Sequence, residues 1–107
     1  MKEPDFYVLM VYVPSSHLDC IKQALFAQGA GRLGHYRACC WQVAGQGQFV
    51  PDQSAKPMMG KAETLTQLEE YRIEMVVPVS LKCQVRAALL SAHPYETPAY
   101  HFIKVET

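Results

Sequence analysis

The stretch VYVPSSHLDCIKQALFAQ, from Val11 to Gln28, is laid out a second time as MVVPVSLKCQVRAALLSA, from Met75 to Ala92. The two align without a gap. Pro14 falls on Pro78, Ser16 on Ser80, Ala24 on Ala88 and Leu25 on Leu89, while Ile21/Val85 and Lys22/Arg86 are close exchanges. Each copy reads as a strand, a proline stop, a serine and an amphipathic helix, and a repeat of that length marks a duplicated structural unit. Whatever this chain folds into must therefore accommodate two like β-α units.

In the first unit the run Phe6–Val13 is β-branched and aromatic, which predicts a strand. Ser16 is placed as the helix N-cap, with Asp19 at capping-box spacing near the positive end of the helix dipole. Leu18, Ile21 and Leu25 recur at helical period, and Gly29 supplies the stop. In the second unit the strand is expected at Tyr71–Val77, Ser80 as the cap, and Leu81, Val85, Ala88 and Leu89 as the buried stripe. A further strand is expected after each helix, at about 34–43 and about 99–106. The sum is βαββαβ, the ferredoxin-like α+β arrangement: one domain spanning residues 1–107, an antiparallel sheet and both helices on one face. Residues 44–70 read as an insertion at the middle turn, a short hairpin followed by an ordered excursion rich in Gly and Pro.

Such a sheet leaves its other face bare, and a strand bare on one side should alternate apolar with polar residues. FYVLMVYV does not. Whether Tyr7, Leu9, Val11 and Val13 or Phe6, Val8, Met10 and Tyr12 point outward, the outward set is apolar. A patch of that size marks an interface. The expectation is a homo-oligomer that covers the face, a trimer or larger with a dimer also open. The alternative is that the inserted segment folds back over it.

Ten Lys+Arg balance ten Asp+Glu, and the charged residues make up 19% of the chain with no like-charge run. A neutral chain without a basic face offers little to phosphates, so nucleic acid is not an expected partner. No stretch approaches the ~20 apolar residues of a membrane span. The run Phe6–Val13 is too short for a leader and ends at Pro14, so a cytoplasmic location is expected. The four cysteines, Cys20, Cys39, Cys40 and Cys83, contain no CxxC pair and read as free thiols. Cys39 and Cys40 fall on the expected second strand and there point to opposite faces.

Gly29-Ala30-Gly31-Arg32-Leu33-Gly34 matches GxGxxG letter for letter, but it closes a helix instead of opening one. The dipole end it faces repels phosphate, and the nucleotide reading is rejected. The histidines, cysteines and acids do not add up to a preformed metal site; the weak metal candidates are His35, Cys40, His93 and Glu96. His101, alternating with Ile103 and Val105, reads as a core or interface histidine, and His17 as solvated. Cys40 and His35, five apart on one expected strand, face opposite sides, so no catalytic pair forms. The segment HPYETPAY, His93 to Tyr100, has prolines that end the second helix and set up the last strand. Its Tyr95 and Glu96 remain free to donate and accept hydrogen bonds across a subunit boundary.

HPYE-x-P after an amphipathic second helix resembles CutA, the divalent-ion tolerance protein of the PII-like trimers. A broader similarity is to the small domain inserted in the Nif-three-like dinuclear-metal-centre proteins. It is carried by ALFAQGAGRLGHY (Ala24 to Tyr36), Cys40, GQGQFVP (Gly45 to Pro51), Ala55-x-Pro57-x-x-Gly60, RIEMVVP (Arg72 to Pro78) and AHPYETPAY (Ala92 to Tyr100). The resemblance implies a PII/CutA-like fold and assembly through the sheet face. It carries over no metal centre, because in the full-length family the metals are held by histidines and acids of the flanking halves; these residues read as the inserted domain by itself. The expected function is a non-enzymatic binding or regulatory module with no cofactor. Its ligand or partner cleft would lie between subunits, lined by Tyr36, Cys40, His93, Tyr95 and Glu96, with Gly31 and Gly34 giving backbone room. The alternative is a divalent metal-binding or tolerance protein of the CutA kind.

Overall fold

A computed structural model describes residues 6–107, and residues 1–5, on which part of the leader expectation rests, lie outside it. The repeat is realised element by element. Strand β1 (Phe6–Pro14) and strand β3 (Thr66–Pro78) each end on the aligned proline. Each proline leads into a three-residue 3-10 turn, Ser15–His17 or Val79–Leu81, and then into helix α1 (Leu18–Ala27) or α2 (Lys82–Ala92). Strands β2 (Trp41–Phe49) and β4 (Tyr100–Val105) complete a four-stranded antiparallel sheet ordered β2-β3-β1-β4. This is the ferredoxin-like α+β sandwich that the duplicated unit requires.

The prolines end the strands because neither can donate a ladder hydrogen bond and both fix φ near −60°. The serines do not cap as expected. The 3-10 turns displace the helix starts to Leu18 and Lys82, and neither helix has a side-chain cap. The Ser16 hydroxyl instead meets His17 Nδ1 at 2.8 Å.

The core lies between the helices and one face of the sheet. Leu9, Val11 and Val13 of β1 and Ile73, Met75 and Val77 of β3 pack beneath Ile21, Leu25, Val85 and Leu89 of the helices, all fully or nearly buried. The outward set on β1 is therefore Phe6, Val8, Met10 and Tyr12, each half-buried. Register places Val76 and Ile103 beside Val8, and Val43 beside Arg72. The inserted segment does not close over this face, for Trp41, Val43 and Ile103 remain 59%, 45% and 46% exposed. His101, on the same face opposite Met10, is exposed and is not a core residue.

The largest departure concerns β2. It starts at Trp41, not near residue 34, and runs on through GQGQF to Phe49, while β3 starts at Thr66. The two pair from Trp41↔Glu74 to Phe49↔Thr66, so both ends of the expected insertion belong to a long ribbon and residues 50–65 form the excursion. Residues 31–40 are taken up by a tight connection. Gly31 donates to Val76 O at 2.7 Å and accepts from Cys39 N at 2.8 Å, and Leu33 and Tyr36 exchange backbone hydrogen bonds. Cys39, Cys40 and His35 thus lie before the strand, and the facing argument drawn from an unbroken strand does not apply to them. The last strand, Tyr100–Val105, matches its expected position within a residue at each end.

Candidate functional site

His93 terminates α2 in extended backbone (φ −74°, ψ 131°), as Pro94 dictates. Its ring is turned inward and 6% exposed. Nε2 lies 2.8 Å from the Tyr12 carbonyl, and Nδ1 accepts from the Tyr95 amide at 3.2 Å. An amide can only donate, so Nδ1 is the acceptor and the proton sits on Nε2. Burial lowers the His93 pKa below the usual value of 6.5, partly opposed by the Tyr12 carbonyl and by Glu70. The imidazole is held neutral with both nitrogens engaged.

Two residues on, the Tyr95 hydroxyl donates to Glu70 Oε2 of β3 at 2.7 Å. Burial and this bond together push the phenol pKa upward, so Tyr95 stays a donor. Glu96 Oε1 accepts the Lys56 amide of the excursion at 3.0 Å. The HPYE segment therefore clips three separate parts of the chain: His93 holds β1, Tyr95 holds β3 and Glu96 holds residues 50–65. A Cβ at Gly47 of β2 would overlap the Glu70 carboxylate, so glycine there leaves Glu70 room to turn toward Tyr95.

Around the clip opens a cleft of about 420 Å³, at the Tyr12 end of the uncovered sheet face. Phe49, Val50, Pro51, Pro57, Met58 and Met59 give it apolar walls, and Tyr12, Tyr95, Asp52, Glu70 and Glu96 add polar groups. Lys56 and Lys61 of the same segment are exposed and do not line it. Of the residues that the sequence singled out for a cleft between subunits, Tyr95 and Glu96 line this one within a single copy, and Glu70, Asp52 and the apolar wall were not among them. The letters GQGQFVP and Ala55-x-Pro57 were visible in the resemblance, but no spacing rule connects residues 40 positions apart.

The other expected site residues lie elsewhere. Gly34, His35 and Tyr36 line a second hollow with Arg32 and Arg37 at the exit of α1. Tyr36 is 76% exposed. Gly31 has φ +80°, and a Cβ there would lie 2.7 Å from the Cys39 carbonyl, so the turn itself calls for glycine. Gly34 has φ +58° with open space around it; its role is conformation alone. Cys40 packs against the core, its thiol directed to the Trp41 carbonyl at 3.6 Å. Burial raises the thiol's pKa, only partly offset by Lys22. His35, Cys40, His93 and Glu96 do not come together: among the described residues no three histidines, cysteines or acids are placed to share a metal ion. Nor does any helix among them have the length and apolarity to cross a membrane.

No family model matches the chain. Its sequence is 41% identical over 91 residues to a GTP cyclohydrolase 1 type 2 homolog of Mycobacterium bovis, covering 85% of this chain and 24% of that protein. It is 39% identical over 98 residues to the protein of that name from Bacillus subtilis, covering 92% of this chain and 26% of the relative. The chain thus spans about a quarter of the length of these relatives. Among solved structures, a Bacillus cereus protein related to NIF3 superposes over all of this chain and 27% of its own, with TM-score 0.84 and 33% identity. The divalent cation tolerance protein CutA of Archaeoglobus fulgidus superposes over 95% of this chain and 85% of its own, with TM-score 0.67 and 16% identity, a likeness of fold alone.

Proposed function

We propose that this PII/CutA-like domain of the Nif-three-like kind acts as a non-enzymatic binding or regulatory module, working as a homo-oligomer. The observation that carries this reading is the uncovered sheet face. Phe6, Val8 and Met10 occupy its middle, with Val76 and Ile103 beside them, and a patch of this composition on a central strand marks a contact surface. Two charged residues there are paired: Arg72 Nη2 lies 2.9 Å from Glu74 Oε2 and meets Met10 Sδ at 3.1 Å. Paired charges of this sort can be buried against a second copy at less cost than lone ones.

Two features support binding over catalysis. The one cysteine packed on the core, Cys40, is kept in its thiol form by burial and contacts a carbonyl, not a base. His93 is fixed neutral with neither nitrogen left for proton transfer or a metal. The name of the relatives refers to proteins about four times as long, and their activity is not assigned to these residues.

Size-exclusion chromatography with light scattering tests the reading. Wild type is expected as an oligomer, and Met10→Lys, which puts a charge in the middle of the face, is expected as a folded monomer. A thermal-shift screen against nucleotides, 2-oxoglutarate and divalent ions then addresses the ligand. A compound that raises the melting temperature is expected to lose its effect in Glu96→Ala or Tyr36→Ala. A monomeric wild type overturns the reading.

A further inference from the structure

The residues expected to line one site sit toward opposite ends of β3. Gly31, at the root of the Arg32–Arg37 loop, is tied to Val76 near the end of β3, while the cleft is built on Glu70 and on Phe49 at the far end of β2. Six residues of strand separate Glu70 from Val76, roughly 20 Å at strand rise. Trp41 and Phe49, at opposite ends of β2, are about 27 Å apart by the same measure. The loop cannot reach its own cleft.

We infer that the two ends meet across copies: the Arg32–Arg37 loop of one molecule seats in the acidic cleft of the next, head to tail. This rests on the oligomeric reading above and deepens it by naming the surfaces that meet at the subunit boundary.

Three observations carry it. The cleft presents Asp52, Glu70 and Glu96 among apolar walls, and among the described residues no cationic side chain lines it. Each carboxylate accepts one internal hydrogen bond, from Ser54 N, Tyr95 Oη and Lys56 N respectively, and a carboxylate has further acceptor capacity beyond that one bond. The occupant that suits such a site is cationic with an apolar or aromatic body.

The loop has that chemistry. Arg32 and Arg37 flank Leu33, which is 47% exposed, and Tyr36, which is 76% exposed. It is also shaped in advance. Leu33 N donates to Tyr36 O at 2.9 Å and Tyr36 N to Leu33 O at 3.0 Å, with Gly34 at positive φ in the turn between them. A loop already closed on itself loses little freedom on docking. A contact between unlike patches repeats from copy to copy, so it closes into a ring or extends without limit. An apolar sheet face turned toward a common axis favours the ring.

A charge-reversal series followed by light scattering at low salt tests the contact. R32E/R37E and D52K/E96K are each expected to weaken association at least about tenfold, by placing like charges together. The quadruple variant, carrying both changes, is expected to restore it. Circular dichroism and melting curves check the fold; should a reversal fail to fold, R32Q/R37Q and D52N/E96Q replace it, each expected to weaken association by less and the two together by no more than either alone. If wild type is oligomeric, Met10→Lys dissociates it and the charge pairs do nothing, the head-to-tail contact is overturned while the oligomeric reading stands. A small alkylammonium ion that stabilises wild type but not D52K/E96K, with mass unchanged in both charge pairs, would assign the cleft to a free cation and also overturn the contact. Charge pairs that weaken association without rescue in the quadruple variant overturn it too. A monomeric wild type removes both readings.

Discussion

His93 shows how one side chain can look like chemistry and act as architecture. It is buried, neutral and bonded through both nitrogens, and protonation would set an N–H against the Tyr95 amide. Because its folded pKa lies below the unfolded value of 6.5, its contribution is fully present above about pH 6.5. It is lost as the unfolded chain takes up the proton that the folded one refuses, so stability falls as pH drops from near 6.5 toward the lowered folded value, then levels. Urea melts between pH 8 and pH 5 should show this decline in wild type and a flatter profile in His93→Gln, whose amide still donates but does not titrate. His93→Ala should cost about 2–3 kcal/mol by leaving the Tyr12 carbonyl and Tyr95 amide without partners. Tyr95→Phe removes only the bond to Glu70, at about 1–2 kcal/mol, measured by the same melts. Gly31→Ala forces a Cβ against the Cys39 carbonyl at positive φ and should cost about 1–3 kcal/mol. None of these partners was legible from spacing. HPYE announced a helix stop and two hydrogen-bonding side chains, but Glu70 and Lys56 become neighbours only through the fold.

Each helix was legible from period and breaker residues, down to Ile21, Leu25, Val85 and Leu89 as the buried stripe. Their starts were not. Serine spacing suggested caps, but a 3-10 turn after each proline moves the first helical residue past the serine. Ser16→Ala and Ser80→Ala should therefore change stability by less than about 0.5 kcal/mol, where a true cap would cost about 1 kcal/mol; thermal melts distinguish the two. The second strand was misplaced for a related reason. Residues 34–40 carry the aromatic and cysteine content of a strand, yet the bonds of Gly31 to Val76 and Cys39 fold them into a turn. GQGQF, poor in strand formers, is held extended because β3 runs alongside it for the length of the ribbon. Tertiary pairing outweighs local preference there.

The molecule is elongated, 51 × 22 × 20 Å, with a radius of gyration of 15.1 Å. A compact chain of this length would be near 13 Å. The excess lies in the β2–β3 ribbon and the uncovered sheet, features that bury little within one copy. The unalternating run FYVLMVYV announced the bare apolar face, and the structure identifies its outward half as Phe6, Val8, Met10 and Tyr12. Sedimentation equilibrium of wild type at micromolar concentration tests the claim that this face is shared between copies. The expected result is a single species at a whole-number multiple of 12.0 kDa, with Met10→Lys reduced to one subunit. A wild type that sediments as a stable, soluble monomer would contradict it.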